Sequence, residues 1–285
     1  METIGAQRLY SYYEDQPKPV KAANRAIREG NGHEVFSYLD LAKKVAELQF
    51  LNRDYVLLFR GQEDDHRINN RTTLKPSLFR PEPGRTGTRE SLLRRRYETL
   101  ANAVDRLIRL YRYSHVERLR RQRILQWSIL QHYEICDTPL LDVTQSLRIA
   151  ASFASLQNSA TGYLYVLGVP NISGAITASA EAGIQIVRLA SVCPPEAVRP
   201  HVQEGYLLGE YPDIPDFDQK KKYHQYEIDF GRRLLAKFRF NPHTFWSGAN
   251  YTRVQEEALR PTDVDDEFCR FARRVRRPST NPAGL

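Results

Sequence analysis

Hydrophobic spacing along the chain changes from a helical period in the first half to short strand-like runs in the second. Residues 33–51, HEVFSYLDLAKKVAELQFL, set Val35, Leu39, Leu41, Val45 and Leu48 at helical spacing, which predicts an amphipathic helix. DYVLLFRGQ follows, with Tyr55 to Phe59 as a short run of strand formers closed by Arg60-Gly61, and predicts a strand buried on both faces. Residues 62–90 are polar and interrupted by Pro76, Pro81 and Pro83, so they predict a surface loop. From about Glu90 to Tyr133 a long helical pattern carries Leu93, Tyr97, Leu100, Val104, Leu107, Ile108 and Tyr111 on one face, with a break expected at Tyr113-Ser114-His115.

The second half reads differently. TPLLDV predicts a short strand and SLRIAASFASL a helix with Leu147, Ala150, Ala151 and Ala154 on one side. GYLYVLGV, IQIVRLA and EGYLLGEY predict three further strands punctuated by Pro and Gly. RRLLAKF and YTRVQEEAL read as helices, and FCRFARRVRRPSTNPAGL as a basic tail that frays. The organisation predicted is an N-terminal extension over 1–30, one α+β domain over 31–260 and a partly disordered basic tail over 261–285. Its sheet is expected to be mixed and partly split, behind a helical N-terminal half.

An apolar content of 41% excludes a disordered chain. No run approaches the ~18 apolar residues of a membrane span, and METIGAQRLYSYYEDQ has no signal-peptide pattern. The expectation is a cytoplasmic protein with no membrane partner. Cys136, Cys193 and Cys269 are far apart and lack any C-x-x-C pairing, which argues against a disulfide framework or a zinc site, and no metal is predicted.

Charge points to partners. The net charge is +8, so the surface attracts polyanions. Ten arginines against three acids lie between Leu92 and Arg123, and Arg270, Arg273, Arg274, Arg276 and Arg277 form a second cluster. Both read either as solvated faces or as phosphate-facing surfaces able to engage nucleic acid or a protein partner.

Gly-rich phosphate loops, H-E-x-x-H and G-x-S-x-G are missing from the sequence, so the candidate chemistry rests on polar residues at strand ends. Arg60 closes an apolar strand and must find a partner, Asp142 among the candidates, while Gly61 lets a ligand approach the backbone. Asp142 emerges from a buried strand, with Thr144 and Ser146 at the start of the next helix. Ser146 reads as an N-cap, and exposed helix-start amides also bind phosphate. His132 reads as a core histidine or as a catalytic one. Gln203 and Glu204, before a late strand, could orient a ribose or stabilise positive charge, or could be surface residues.

Phe59-Arg60-Gly61-Gln62 with Leu74-Lys75-Pro76-Ser77-Leu78-Phe79-Arg80, Gln131-His132-Tyr133 with Thr138-Pro139-Leu140-Leu141-Asp142-Val143-Thr144, and Arg199, Gln203 and Gly205 occur in this order. Together they resemble the FRG domain family over roughly residues 35 to 245. The chain departs from the family pattern at Glu134, where the family has Gly, at Cys136-Asp137 before Thr138, and at Val143.

The motif order is in turn similar to that of ADP-ribosyltransferases of the Arg–Ser/Thr–Glu type. This resemblance implies an ADP-ribosyltransferase-like fold with NAD as co-substrate. Arg60 would hold the NAD phosphates or ribose, Thr144 and Ser146 would shape the nicotinamide pocket, and Gln203 or Glu204 would assist glycosidic cleavage. It implies a nucleotide-handling effector, an NAD-dependent ADP-ribosyltransferase or NAD-cleaving toxin of a bacterial or phage conflict system, with an antitoxin as candidate partner. Two alternatives stay open: a non-catalytic nucleotide- or RNA-binding module, and a nuclease using His132 and Asp142.

Overall fold

The structure is a computed structural model that describes residues 1–4, 9–157, 159–223, 226–248 and 251–276. The chain opens with a ribbon of β1 (Leu9–Ser11) and β2 (Val20–Ala22), then α1 (Asn24–Glu29). This N-terminal part belongs to the core: Ile4, Tyr12, Ala22 and Ile27 are buried. β3 (His33–Glu34) precedes α2 (Tyr38–Leu51). The helix predicted from residue 33 begins only after Ser37, whose hydroxyl accepts from the Asp40 amide at 3.2 Å and caps it.

β4 (Val56–Gln62) is the predicted Arg60-Gly61 strand. The stretch expected to be a plain loop contains a small ribbon, β5 (Arg67–Ile68) and β6 (Arg71–Thr72), and a 3-10 turn at Ser77–Phe79. Leu74, Leu78 and Phe79 anchor it in the core. The arginine-rich region folds as α3 (Glu90–Leu110), α4 (Val116–Arg121) and α5 (Arg123–His132), interrupted at the expected Tyr113–His115 break.

β7 (Leu141–Thr144), α6 (Leu147–Phe153), β8 (Gly162–Val169), β9 (Ile176–Ser179) and β10 (Ile184–Arg188) follow. Then come α7 (Leu189–Val192), α8 (Arg199–Val202), β11 (Gly205–Glu210), α9 (Phe217–Lys220), β12 (Leu234–Phe240), α10 (Pro242–Phe245), α11 (Glu256–Leu259) and α12 (Glu267–Arg276). Two helix expectations are corrected. RRLLAKF lies mostly in β12, an interior strand buried on both faces, and so short an apolar run carries no period that separates strand from helix. YTRVQEEAL forms helix only over Glu256–Leu259. The stretch read as a fraying tail is, as far as Arg276, a docked helix that buries Phe268, Phe271, Ala272 and Val275. The remainder of that tail, Arg277 included, lies outside the described residues.

The fold is α+β, built on an eight-stranded mixed sheet in the order β3-β12-β8-β4-β7-β11-β10-β9. β3 pairs with β12 in parallel and every other pair is antiparallel. Helices cover both faces. Leu57 and Phe59 of β4, with Leu164 and Val166 of β8, join Leu41, Val45 and Leu48 of α2, Ala150 and Ala151 of α6, and Ala154, which caps the end of α6. Leu58, Tyr165 and Leu167 point the other way, into a larger core with α3, α5 and α12. This is the period-two alternation of a strand covered on both sides.

Two features position the site. β4 and β7 pair at one place only, Phe59 with Thr144, so the sheet consists of two half-sheets meeting at a narrow seam. Across that seam lies α6, seated at backbone contact: a Cβ on Gly61 would fall 1.7 Å from the Ala150 carbonyl oxygen, and one on Gly162 2.6 Å from that of Ala154. Gly61 therefore admits a helix, where the sequence suggested a ligand. Among the described residues no helix is long and apolar enough to cross a membrane.

Gly61→Ala is expected to displace α6 and destabilise the fold by about 3 kcal/mol, at the upper end of overpacking effects. Gly87→Ala, whose Cβ would meet nothing nearer than 3.6 Å, serves as the control. Thermal melting should separate the two clearly; equal melting temperatures would sink this account of α6.

Candidate functional site

The site begins where the two half-sheets part. Beyond the Phe59–Thr144 pair no further β4–β7 pair forms, and the Arg60 side chain spans the opening. Its Nη1 donates to the Asp142 carbonyl oxygen at 2.6 Å, so the expected partnership of Arg60 and Asp142 is real but runs to the backbone. Arg60 Nε is buried without a hydrogen-bond partner. Burial pushes the Arg60 pKa down to about 10, against the attraction of Asp142 and with the repulsion of Arg80. At neutral pH the guanidinium keeps its charge.

The Asp142 carboxylate is fixed from behind. Gln131 Nε2 donates to its Oδ2 at 2.6 Å, and His132 Nδ1 lies 3.4 Å from its Oδ1. Gln131 is itself held, since its Oε1 accepts from the Thr138 hydroxyl, which in turn accepts from the Leu140 amide at 3.2 Å. Burial pushes the Asp142 carboxyl up, but the His132 and Gln131 hydrogen bonds and the nearby Arg60 charge outweigh it and hold the group below the usual range. The side chain remains 37% exposed, so an ionised, oriented carboxylate faces the opening.

In front of it lies a cavity of about 580 Å³, within the roughly 300–1,000 Å³ of ligand sites. Arg60, Arg80, Arg199 and Arg260 line it together with Glu63, Asp64, Glu134, Asp142 and Glu256, while Phe59, Ala150, Phe153 and Leu156 supply an apolar side. Besides Arg60 Nε, two more buried polar atoms of lining residues lack partners, Gln62 Oε1 and Arg199 Nε. Buried polar atoms are normally satisfied, so three orphans around one cavity point to a polar ligand.

The other predicted site residues divide. Thr144 lines the cavity, but its hydroxyl donates to the Gln203 carbonyl at 2.8 Å and accepts from the Ser146 amide at 3.0 Å, tying β7 to the turn before β11. Ser146 occupies the N-cap of α6 without a side-chain cap bond and is not part of the cavity lining. Gln203 lines the cavity, with its Nε2 committed to the Leu259 carbonyl at 2.6 Å. Glu204 does not: it is exposed, in the left-handed region at φ 46°, in the turn that precedes β11.

His132 stands behind Asp142, 2% exposed, and does not border the cavity. Its Nε2 is buried without a partner. Burial lowers its pKa, the Asp142 hydrogen bond opposes this and Arg199 adds to it, so the ring is neutral at pH 7. It is a positioning residue for Asp142. Among the described residues no group of three His, Cys, Asp or Glu is arranged to hold a metal ion.

Sequence reasoning missed much of the charged lining. Arg80 and Arg199 fell within quoted motifs without a role, whereas Glu256 and Arg260 come from a segment with no local signal. Glu134 at φ 52° takes the left-handed conformation that glycine adopts freely, which accounts for a glycine in the family pattern; here its carboxylate bonds Arg199 Nη2 at 2.7 Å.

These features define the class: an α+β domain whose sheet opens at a seam into an arginine-lined, amphipathic cleft. The family model described as the FRG domain matches residues 56–162, from the first residue of β4 to the first of β8. Over that span the chain carries an FRG domain. No curated protein and no solved structure matches the chain.

A histidine whose folded pKa lies below its unfolded value, 6.5, leaves the unfolded chain binding more protons. Its contribution to stability is full above that pH and is lost as the pH falls below it. Lowering the pH from about 7 to about 5 should therefore depress the wild-type melting temperature more steeply than that of His132→Gln. Parallel slopes would show that His132 is not held neutral.

Proposed function

We propose that this cleft binds a nucleotide through its phosphates, and that the nucleotide is NAD, cleaved at the bond between nicotinamide and ribose. The observation that carries the reading is Arg60: a charged guanidinium pinned by one bond to the Asp142 carbonyl, with a buried N–H left over, beside an oriented carboxylate. A dinucleotide presents a pyrophosphate to arginines and flat rings to an apolar wall, and this cleft offers both.

Arg60, with Arg80 and Arg199, holds the phosphates by charge-assisted bonds. Phe153 and Leu156 face the ring. As nicotinamide leaves with the bonding electron pair, positive charge grows on the ribose, a fixed carboxylate beside it lowers the barrier, and water or an acceptor nucleophile bonds to the ribosyl carbon and gives up its proton. Asp142 takes that role, which the family resemblance had given to Gln203 or Glu204, because it faces the cavity and is held ionised by Gln131 and His132. Thr144 shapes the wall through its backbone ties. His132 orients Asp142, and its burial behind that residue disfavours a nuclease in which it would touch substrate.

A second reading, recognition of a nucleotide or RNA end without turnover, is favoured by one observation: the amide of Gln203 is bonded to Leu259 and Glu204 lies off the cavity. Nicotinamide release from NAD by the purified full chain separates the two. Wild type should release nicotinamide, and both Arg60→Ala and Asp142→Asn should lower the rate by about 10², the scale of a lost electrostatic group. NAD binding should fail in Arg60→Ala and survive in Asp142→Asn. Binding without release, in the presence of nucleic-acid and protein acceptors, would select the second reading.

A further inference from the structure

The two basic clusters of the sequence lie more than a hundred residues apart, yet the fold brings them together. Arg106 of α3 donates through Nε to the Val275 carbonyl of α12 at 2.9 Å, and Arg276 of α12 reaches the Glu134 carbonyl. They meet beside a second cavity of about 720 Å³, between the first half of α3 and the residues that follow α5. Arg80, Arg95, Arg96, Glu134, Cys136 and Asp137 are among its lining residues. Arg106 and Arg276 lie near enough to the Cys136 thiol of its wall to act on it; burial and Asp137 push that thiol's pKa up to about 12 against their pull.

The acids of this cavity are already engaged. Asp137 bonds Arg96 Nε at 3.1 Å and Glu134 bonds Arg199. The Arg95 guanidinium, by contrast, has no partner among the described residues, and Arg80 uses only its Nε, on the Lys75 carbonyl. Residues 95, 99, 102, 106 and 109 of α3 are spaced four, three, four and three apart, so Arg95, Thr99, Asn102, Arg106 and Arg109 form one stripe of the helix with no acid in it. The stripe starts in the cavity, at Arg95 and Thr99. Arg80 and Glu134 line both this cavity and the cleft at the seam, so the two are neighbours.

We propose that the second cavity and the α3 stripe bind the phosphodiester backbone of a single-stranded nucleic acid, leading one end of the strand to the seam cleft. A row of arginines with free forks suits successive phosphates. A flexible strand can bend into a recess between α3 and the residues that follow α5, and with no aromatic side chain in its lining the contact is one of backbone charge. This rests on the reading of the cleft as a nucleotide site only for the direction in which the strand runs.

The experiment is binding of labelled single-stranded RNA and, in a second arm, single-stranded DNA of the same sequence to the full chain, as a function of salt. Wild type should bind at least one of them, and the preferred arm identifies the source of the phosphodiester. Arg95→Glu, which breaks no contact in the fold, should weaken binding at least tenfold and reduce the slope of log affinity against log salt, at unchanged melting temperature. Lys43→Glu, an exposed charge reversal on α2, should bind as wild type does. No binding of either strand at low salt, or equal losses in Arg95→Glu and Lys43→Glu, would overturn the proposal. NAD turnover and NAD binding are measured in parallel: absence of both with the Arg95 effect intact would sink the reading of the cleft as an NAD site and leave the strand site standing.

Discussion

One hydrogen bond, from the Arg60 guanidinium to the Asp142 carbonyl, stands at the point on which the architecture turns. It replaces strand pairing where β4 and β7 diverge, and it places a cation and a carboxylate on the same rim. A ladder continued past this point would have closed the opening and left no cavity. A complete separation would have left two sheet edges and a buried charge with nothing to pair with. The side chain keeps the gap open while satisfying part of the polar surface that the gap exposes.

The three residues around Arg60 each answer to a different layer. Phe59 fills the core beneath α6, Arg60 turns to the opposite face and Gly61 lets α6 touch the backbone. Gln131, His132 and Tyr133 divide in the same way. The first two hold Asp142, and the Tyr133 hydroxyl donates to the buried Asp266 at 3.0 Å, just ahead of α12. Asp266 also accepts from the Arg199 amide at 2.9 Å. One set of hydrogen bonds therefore locks the C-terminal helix and the cavity wall to α5.

Much of this was legible from residue types. Long periodic segments such as α3 and short apolar runs such as β4, β8, β10 and β11 follow from spacing, and the grouping of Arg60, Asp142, Thr144 and Gln203 was implied by the family resemblance that these residues carry. What escaped has physical causes. β12 is covered on both faces, so its apolar residues carry no alternation to mark it as a strand. Glu204 looked like a strand residue, but the turn after α8 puts it in a left-handed conformation and sends it to solvent, while Gln203 beside it points in. Arg260 and Glu256 reach the cavity only through a long-range return of the chain, which leaves no local trace. The tail looked solvated because five arginines crowd it ahead of a Pro/Ser/Asn-rich end, yet Phe268, Phe271, Ala272 and Val275 fall on one helical face.

The single Phe59–Thr144 pair has a mechanical consequence. Sheets resist bending through their ladders, and here the ladder is one residue pair wide at its middle, so torsion between the halves concentrates there. α6 acts as the splint: it bears on Gly61 and Gly162 of one half, and the turn that starts it is tied through Thr144 to the other. Strain applied to the outer strands is therefore delivered to the rim of the cleft. A ligand that clamps Arg60 to Asp142 stiffens the joint of the whole sheet.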